Sequence, residues 1–226
     1  MSLVVPVITV DGPSGVGKGT LCARLSAHYG FRFLDSGALY RVLGLAANQQ
    51  GLSLESDALI TLARHLPVRF VDSKIWLETQ DVTDTIRTET VAALASQVAA
   101  IPAVRAALLV FQQDYAQAPG LVADGRDMGT VVFIDASAKL FLEASAQVRA
   151  ERRVKQLKNQ GLDANIDQIT QEIKERDDRD RNRSVAPLIA AADALVIDTS
   201  YLSADNVFNQ AVAWIDNKLV SRKQAI

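Results

Sequence analysis

Asp11-Gly12-Pro13-Ser14-Gly15-Val16-Gly17-Lys18-Gly19-Thr20 puts four glycines and a lysine into ten residues, directly after an apolar run. Gly12, four residues, then Gly17-Lys18 satisfies most of the phosphate-loop pattern. The glycines let the chain turn through conformations closed to residues with side chains. Backbone N–H groups then converge on phosphate oxygens, helped by the N-terminus of the following helix. Gly12, Pro13, Ser14, Gly15, Val16, Gly17, Lys18, Gly19 and Thr20 are therefore the candidate cradle for a nucleotide's phosphates, with Lys18 reaching the β- and γ-phosphates. The pattern departs from the general form once, because Gly19 occupies the Ser/Thr slot and Thr20 follows it. A dinucleotide-binding Gly-x-Gly-x-x-Gly needs glycine where Thr20 stands, so that reading fails. A GTPase switch needs Asp-x-x-Gly, which occurs nowhere, and Asn-Lys-x-Asp, whereas Asn217-Lys218 continues into Leu219-Val220. The loop points to a nucleotide and is silent on the reaction.

Two further groups of residues could serve such a loop. Asp124 closes the apolar stretch Leu121-Val122-Ala123, where phosphate-loop proteins place a carboxylate near magnesium. Whether it touches the ion or a water on it stays open, and the Thr20 hydroxyl is a second candidate ligand. The segment Arg149–Arg183 holds ten of the 24 Lys+Arg and eight of the 26 Asp+Glu. Mixed charge of this kind often marks a solvated helix face, but Arg176, Arg179, Arg181 and Arg183 are unusually dense. Arg149, Arg152 and Arg153 follow a candidate strand and could fold over a triphosphate. The single cysteine, Cys22, excludes an internal disulfide and a cysteine zinc site. His28 and His65 receive no role.

The Gly-Lys-Gly-Thr ending resembles the phosphate loop of the nucleoside monophosphate kinases, for which Gly19 is normal. Leu34-Asp35-Ser36-Gly37 followed by Tyr40-Arg41, the stretch Ala123-Asp124-Gly125-Arg126-Asp127-Met128-Gly129-Thr130, and Lys174–Arg183 are similar to three segments of the cytidylate kinases. The resemblance runs through essentially the whole chain in order, and the insert near 67–80 is like that of the bacterial type. It implies transfer of the γ-phosphate of ATP to CMP or dCMP, with Mg2+ required, ATP as donor, and CDP or dCDP and ADP as products. Lys18, Arg126 and Arg183 become the catalytic residues by resemblance. Arg41, Arg126 and Arg183 hold the CMP phosphate, and planar guanidinium groups suit that task because each binds two oxygens. Ser36 joins the CMP site, Asp127 meets the cytosine amino group, Arg105 and Ser96 meet the ring acceptors, and Arg176 and Asp180 lie near the ribose. Arg152 and Arg153 serve ATP. Cytosine offers an amino donor where uracil offers a carbonyl, so a carboxylate at Asp127 suits CMP. A kinase for another small acceptor (UMP or a shikimate-like molecule) and a nucleotide-binding module without turnover stay as alternatives.

These residues need a scaffold. A chain of 226 residues with 49% hydrophobic and 22% charged residues is ordinary for one substantial globular domain. A net charge of −2 argues against bulk binding to nucleic acid, and no apolar run approaches a membrane span. Met1–Val10 lacks a basic flank and reads as a core strand, not a leader. Strand and helix alternate, which predicts an α/β fold with a parallel sheet covered on both faces. Candidate strands are Val4–Val10, Phe31–Leu34, Leu121–Asp124, Lys139–Leu142 and Ala194–Ile197; Pro6 is a mild objection to the first. Pro102–Gln117 and a terminal helix beginning after Ser203 show helical spacing. Residues 67–80 read as a hairpin around Asp72-Ser73. The resemblance implies a phosphate-loop kinase core with a five-stranded parallel sheet (1–36, 118–148 and 184–226), a monophosphate-binding part (37–117) with the β insert, and a helical lid (149–183). It also implies a cytoplasmic monomer that binds neither nucleic acid nor membrane.

Overall fold

A computed structural model describes residues 5–71, 74–159, 161 and 163–224. The chain divides into two compact units, one comprising the chain up to Leu34 and from Tyr115 onward, the other Asp35–Asp114.

The first unit is built on β1 (Val7–Asp11), α1 (Lys18–Tyr29) and β2 (Arg32–Asp35), and on elements that come after the second unit. Its sheet has the order β2, β6 (Leu121–Gly125), β1, β7 (Ala138–Glu143), β8 (Leu195–Asp198). All five residues of β1 and of β6 are buried, which is why these strands read as apolar runs without alternation. β1 pairs in parallel with β6 and β7, and β7 with β8. Ile8, Val10, Leu140 and Leu142 pack with Leu21 and Leu25 of α1 and with Val207, Ala211 and Ile215 of the terminal helix. Pro6 lies before β1, so it removes no hydrogen bond from the ladder, and the objection it raised disappears; Val4 lies outside the described residues.

The second unit holds α2 (Ser36–Gln49), α3 (Asp57–Arg64), the strands β3 (Val68–Val71), β4 (Lys74–Leu77) and β5 (Gln80–Asp81), then α4 (Glu89–Val98) and α5 (Pro102–Asp114). Each of the first two helices starts on a side-chain cap, Asp35 accepting from the Ala38 N–H and Ser56 from the Ala58 N–H. Leu39, Leu43, Leu59, Ile86 and Leu108 form its fully buried centre. The expected hairpin exists as β3 and β4, although Asp72-Ser73 lie outside the described residues. A third strand, β5, adds to it; two residues are too few to carry a periodic signal. The expected end of α5 at Gln117 is corrected to Asp114.

Two long helices complete the first unit, α6 (Ala146–Asn159) and α7 (Ile166–Arg181), together with α8 (Ala204–Gln224). Among the described residues no single helix is long and apolar enough to cross a membrane.

Candidate active site

The phosphate loop leaves β1 at Gly12, which has φ +145 and a backbone so close to β7 that an added Cβ would stand 2.1 Å from the Leu142 carbonyl oxygen. Only glycine fits that approach. The loop then delivers Lys18 to the first turn of α1, where its side chain is buried. Lys18 Nζ donates to the Pro13 carbonyl at 2.8 Å and stands 3.8 Å from Asp124 Oδ1. Burial, and then the Arg126 charge, pull the lysine below its ordinary pKa, while Asp124 opposes them. Thr20 is exposed beside the loop. Among the described residues no cluster of three or more His, Cys, Asp or Glu forms a metal cage. One carboxylate and one hydroxyl beside a phosphate cradle is nonetheless the donor set that suits Mg2+, which takes most of its oxygens from substrate phosphates and water.

A second cluster gathers around α7. Half-buried Ile166, Ile169, Ile173 and Arg176 and buried Asp177 and Asp180 are among the positions of a helical stripe along it, so the charge run is not a uniformly solvated face. Asp180 is a bridge: Arg126 Nε donates to its Oδ2 at 3.0 Å, and the Arg183 guanidinium donates to its Oδ1. Arg126 and Arg183, assigned to one phosphate from sequence, are thus held by a single carboxylate. Burial opposes the Asp180 charge, but Arg126, Arg183 and Arg176 outweigh it and keep the carboxyl below its ordinary pKa. The stability such a depressed carboxyl contributes is complete above the unfolded value of 3.8 and is lost as pH falls from there through the lower folded-state value. Asp180→Ala should therefore lower stability at pH 7 by about 3–5 kcal/mol, as expected for one partner of a buried ion pair. Denaturant melts from pH 7 to pH 3 should also show a smaller acid-dependent loss in the variant than in the wild type.

Arg149 forms another clasp. Its guanidinium donates to Asp177 Oδ1 at 3.0 Å, to Asp177 Oδ2, to the Ser14 carbonyl at 3.1 Å and to the Ala144 carbonyl at 3.0 Å. It ties the base of α6 and α7 to the phosphate loop. Beside it opens a cavity of about 240 Å³ lined by Gly15, Gly17, Thr20, Arg24, Arg152 and Thr199, among others. Arg152 donates to the Thr199 carbonyl at 2.5 Å and to its Oγ1 at 3.2 Å. Arg153 instead donates to Gln156 along α6 and does not line this cavity. Of the two arginines expected at ATP, the structure brings Arg152 to the loop.

In the first unit, Asp127 is buried just past β6. The second unit carries Ser36, Arg41, Ser96 and Arg105. Ser36 is buried at the start of α2, Ser96 on α4 and Arg105 on α5. Arg41 Nη1 donates to the Ile86 carbonyl at 2.6 Å. Arg105 donates to the Ala99 carbonyl at 3.3 Å, and its guanidinium lies 5.5 Å from the Tyr40 ring centre. Sequence reasoning missed two residues of the first unit's site, Asp11 and Thr199, and the anchoring role of Arg149. Asp11 did leave a signal, a carboxylate ending an apolar strand one residue before Gly12.

The family model described as cytidylate kinase matches residues 8–217. A cytidylate kinase of Vibrio vulnificus (strain YJ016) is 57% identical over 224 residues, covering 97% of this chain and 99% of that protein. A cytidylate kinase of Vibrio cholerae serotype O1 is 57% identical over 225 residues, covering 97% of this chain and all of that protein (100%). A crystal structure of an uncharacterized protein from Eubacterium ventriosum matches with a TM-score of 0.51 at 11% identity, over 94% of this chain and 98% of that one. That likeness concerns the fold alone.

Proposed function

The chain belongs to the cytidylate kinase family, and from that premise we propose that it transfers the γ-phosphate of ATP to CMP or dCMP, forming ADP and CDP or dCDP. The observation that carries the reading is the placing of buried Lys18 within a phosphate loop of the same unit that holds Arg126 and Arg183 on Asp180. Phosphoryl transfer asks for little covalent chemistry from a protein; it needs charge neutralisation and in-line alignment.

In this reading the loop amides from Ser14 to Thr20 hold the donor phosphates, and Lys18 exchanges the Pro13 carbonyl for a β- or γ-phosphate oxygen. Its charge then offsets charge that builds up as the phosphoryl group moves. Arg152 and the adjoining cavity take the remainder of ATP. Arg126 and Arg183, with Arg41, hold the acceptor phosphate, while Ser36, Arg176 and Asp180 align the rest of the nucleotide. Asp127 accepts from the cytosine amino group, and Ser96 and Arg105 serve the ring acceptors. Mg2+, held by Asp124 directly or through water with Thr20 as a further oxygen donor, would neutralise phosphate oxygens. The protein is read as a cytoplasmic monomer acting on small molecules and on neither nucleic acid nor membrane; the net charge of −2 supports the absence of bulk polyanion binding.

An assay of ADP release coupled to NADH oxidation, run with CMP, dCMP, UMP and shikimate, tests the reading. CMP and dCMP should give the highest kcat/KM. Preference for UMP or shikimate, or no turnover with any of the four, would overturn it.

The segment 149–183 acts as a lid in the same reading. The Arg149–Asp177 clasp fixes its base, and no residue of 166–174 is fully buried. Closure must then be driven by ligands with greater affinity for the closed state. Hydrogen exchange should show added protection at 166–174 with a bisubstrate analogue and much less with either nucleotide alone. Complete protection there in the free protein would rule out a lid.

A further inference from the structure

We propose that Asp11 is a positioning residue for base selection: by capping the turn that follows Asp127, it keeps the Asp127 carboxylate from doing so. The inference rests on the reading of Asp127 as the group that meets cytosine. Met128–Val132 forms one short π-helical turn with Asp127 at its N-cap. An aspartate in that position ordinarily turns its carboxylate back onto the first backbone N–H groups, which have no partner within the turn. Asp127 makes no such cap hydrogen bond.

The capping is done from another strand. Asp11 Oδ1 accepts from the Met128 N–H and Asp11 Oδ2 from the Gly129 N–H, both at 2.8 Å, across 117 and 118 residues of chain. Asp11 is also paired in register with Gly125. Residues 125–129 are therefore pinned at both ends by one residue, through its backbone pairing at Gly125 and through its carboxylate at 128 and 129. The two side chains between the pins are Arg126 and Asp127. Gly129 lets the turn lie this close to β1 and β7: a Cβ there would stand 2.8 Å from Thr9 Oγ1 and 3.1 Å from Lys139 Cδ. With Asp11 shortened, the Met128 and Gly129 N–H groups lose the carboxylate that caps them, and the residue at the N-cap position, whose side chain ordinarily takes that task, is Asp127. Base reading and capping then compete for one group.

The test is the ratio of kcat/KM for CMP to that for UMP, which does not depend on the fraction of active protein and so tolerates partial unfolding. Asp11→Ala and Asp11→Asn should each lower the ratio, the alanine by about tenfold or more, since small misplacements of a positioned group carry large losses. Adding Asp11→Ala to Asp127→Ala should leave the ratio within about twofold of Asp127→Ala alone, because two changes acting through one group are not additive. A wild-type ratio in the Asp11 variants, or a double variant whose loss is the product of the two single losses, would overturn the proposal. A crystal structure of Asp11→Ala decides the same point without turnover. Asp127 should be turned onto the amide of Gly129 or Thr130, and an unmoved Asp127 would contradict the inference. A wild-type protein that does not phosphorylate CMP would instead sink the functional reading, and the crystal structure would still decide the role of Asp11.

Discussion

Lys18→Met should keep its fold and lose roughly 100- to 1,000-fold or more in kcat with ATP and CMP, comparable to removing one preorganised donor from a transition state. The lysine is buried, held by the Pro13 carbonyl and near Asp124, so its charge is presented to a phosphate with little water to weaken it. Methionine preserves the length of the stem and much of its packing, and it removes the ammonium. Near-ultraviolet circular dichroism would check the fold, and steady-state kinetics the loss. Near-normal turnover would remove the loop from the mechanism.

Asp127→Ala should act on choice rather than on rate alone. Losing an acceptor aimed at the cytosine amino group should reduce the kcat/KM preference for CMP over UMP by roughly 10- to 100-fold, in keeping with about 1–3 kcal/mol for base-edge contacts. Binding of ATP, measured by calorimetry, should change far less. An unchanged preference would mean that Asp127 does not read the base.

How much of this was legible before the fold depended on distance along the chain. The phosphate loop is local: Gly12, Gly17 and Lys18 are fixed by chemistry within a few residues, and a buried strand immediately before them reads as an unbroken apolar run. β1, β6 and β7 were recognisable for the same reason, because burial on both faces removes alternation, whereas β2 and β8 lie at the sheet edges and are partly exposed. What stayed hidden were pairings between remote residues. Arg126 meets Asp180 across 54 residues, Arg149 meets Asp177 across 28, and Arg152 meets Thr199 across 47. In sequence Arg149, Arg152, Asp177 and Asp180 belong to one charge run and Thr199 to an unremarkable polar stretch, and nothing in the segment around Arg126 points to Asp180. Asp11 shows the limit most clearly, since its type and place were visible and its partners, the amides of residues 128 and 129, carry no sequence signature at all. The resemblance supplied the roles of Ser36, Arg41, Ser96 and Arg105; their residue types alone did not.

The most direct test of the central claim follows the phosphoryl group itself. The purified protein is incubated with ATP labelled with ³²P at the γ-position and, in separate reactions, with CMP, dCMP or UMP, and the products are resolved by chromatography. Label should appear in CDP and in dCDP, faster than in UDP, and the Lys18→Met protein should transfer it at least about 100-fold more slowly. Label recovered only as inorganic phosphate, or passed to UMP in preference to CMP, would contradict the account.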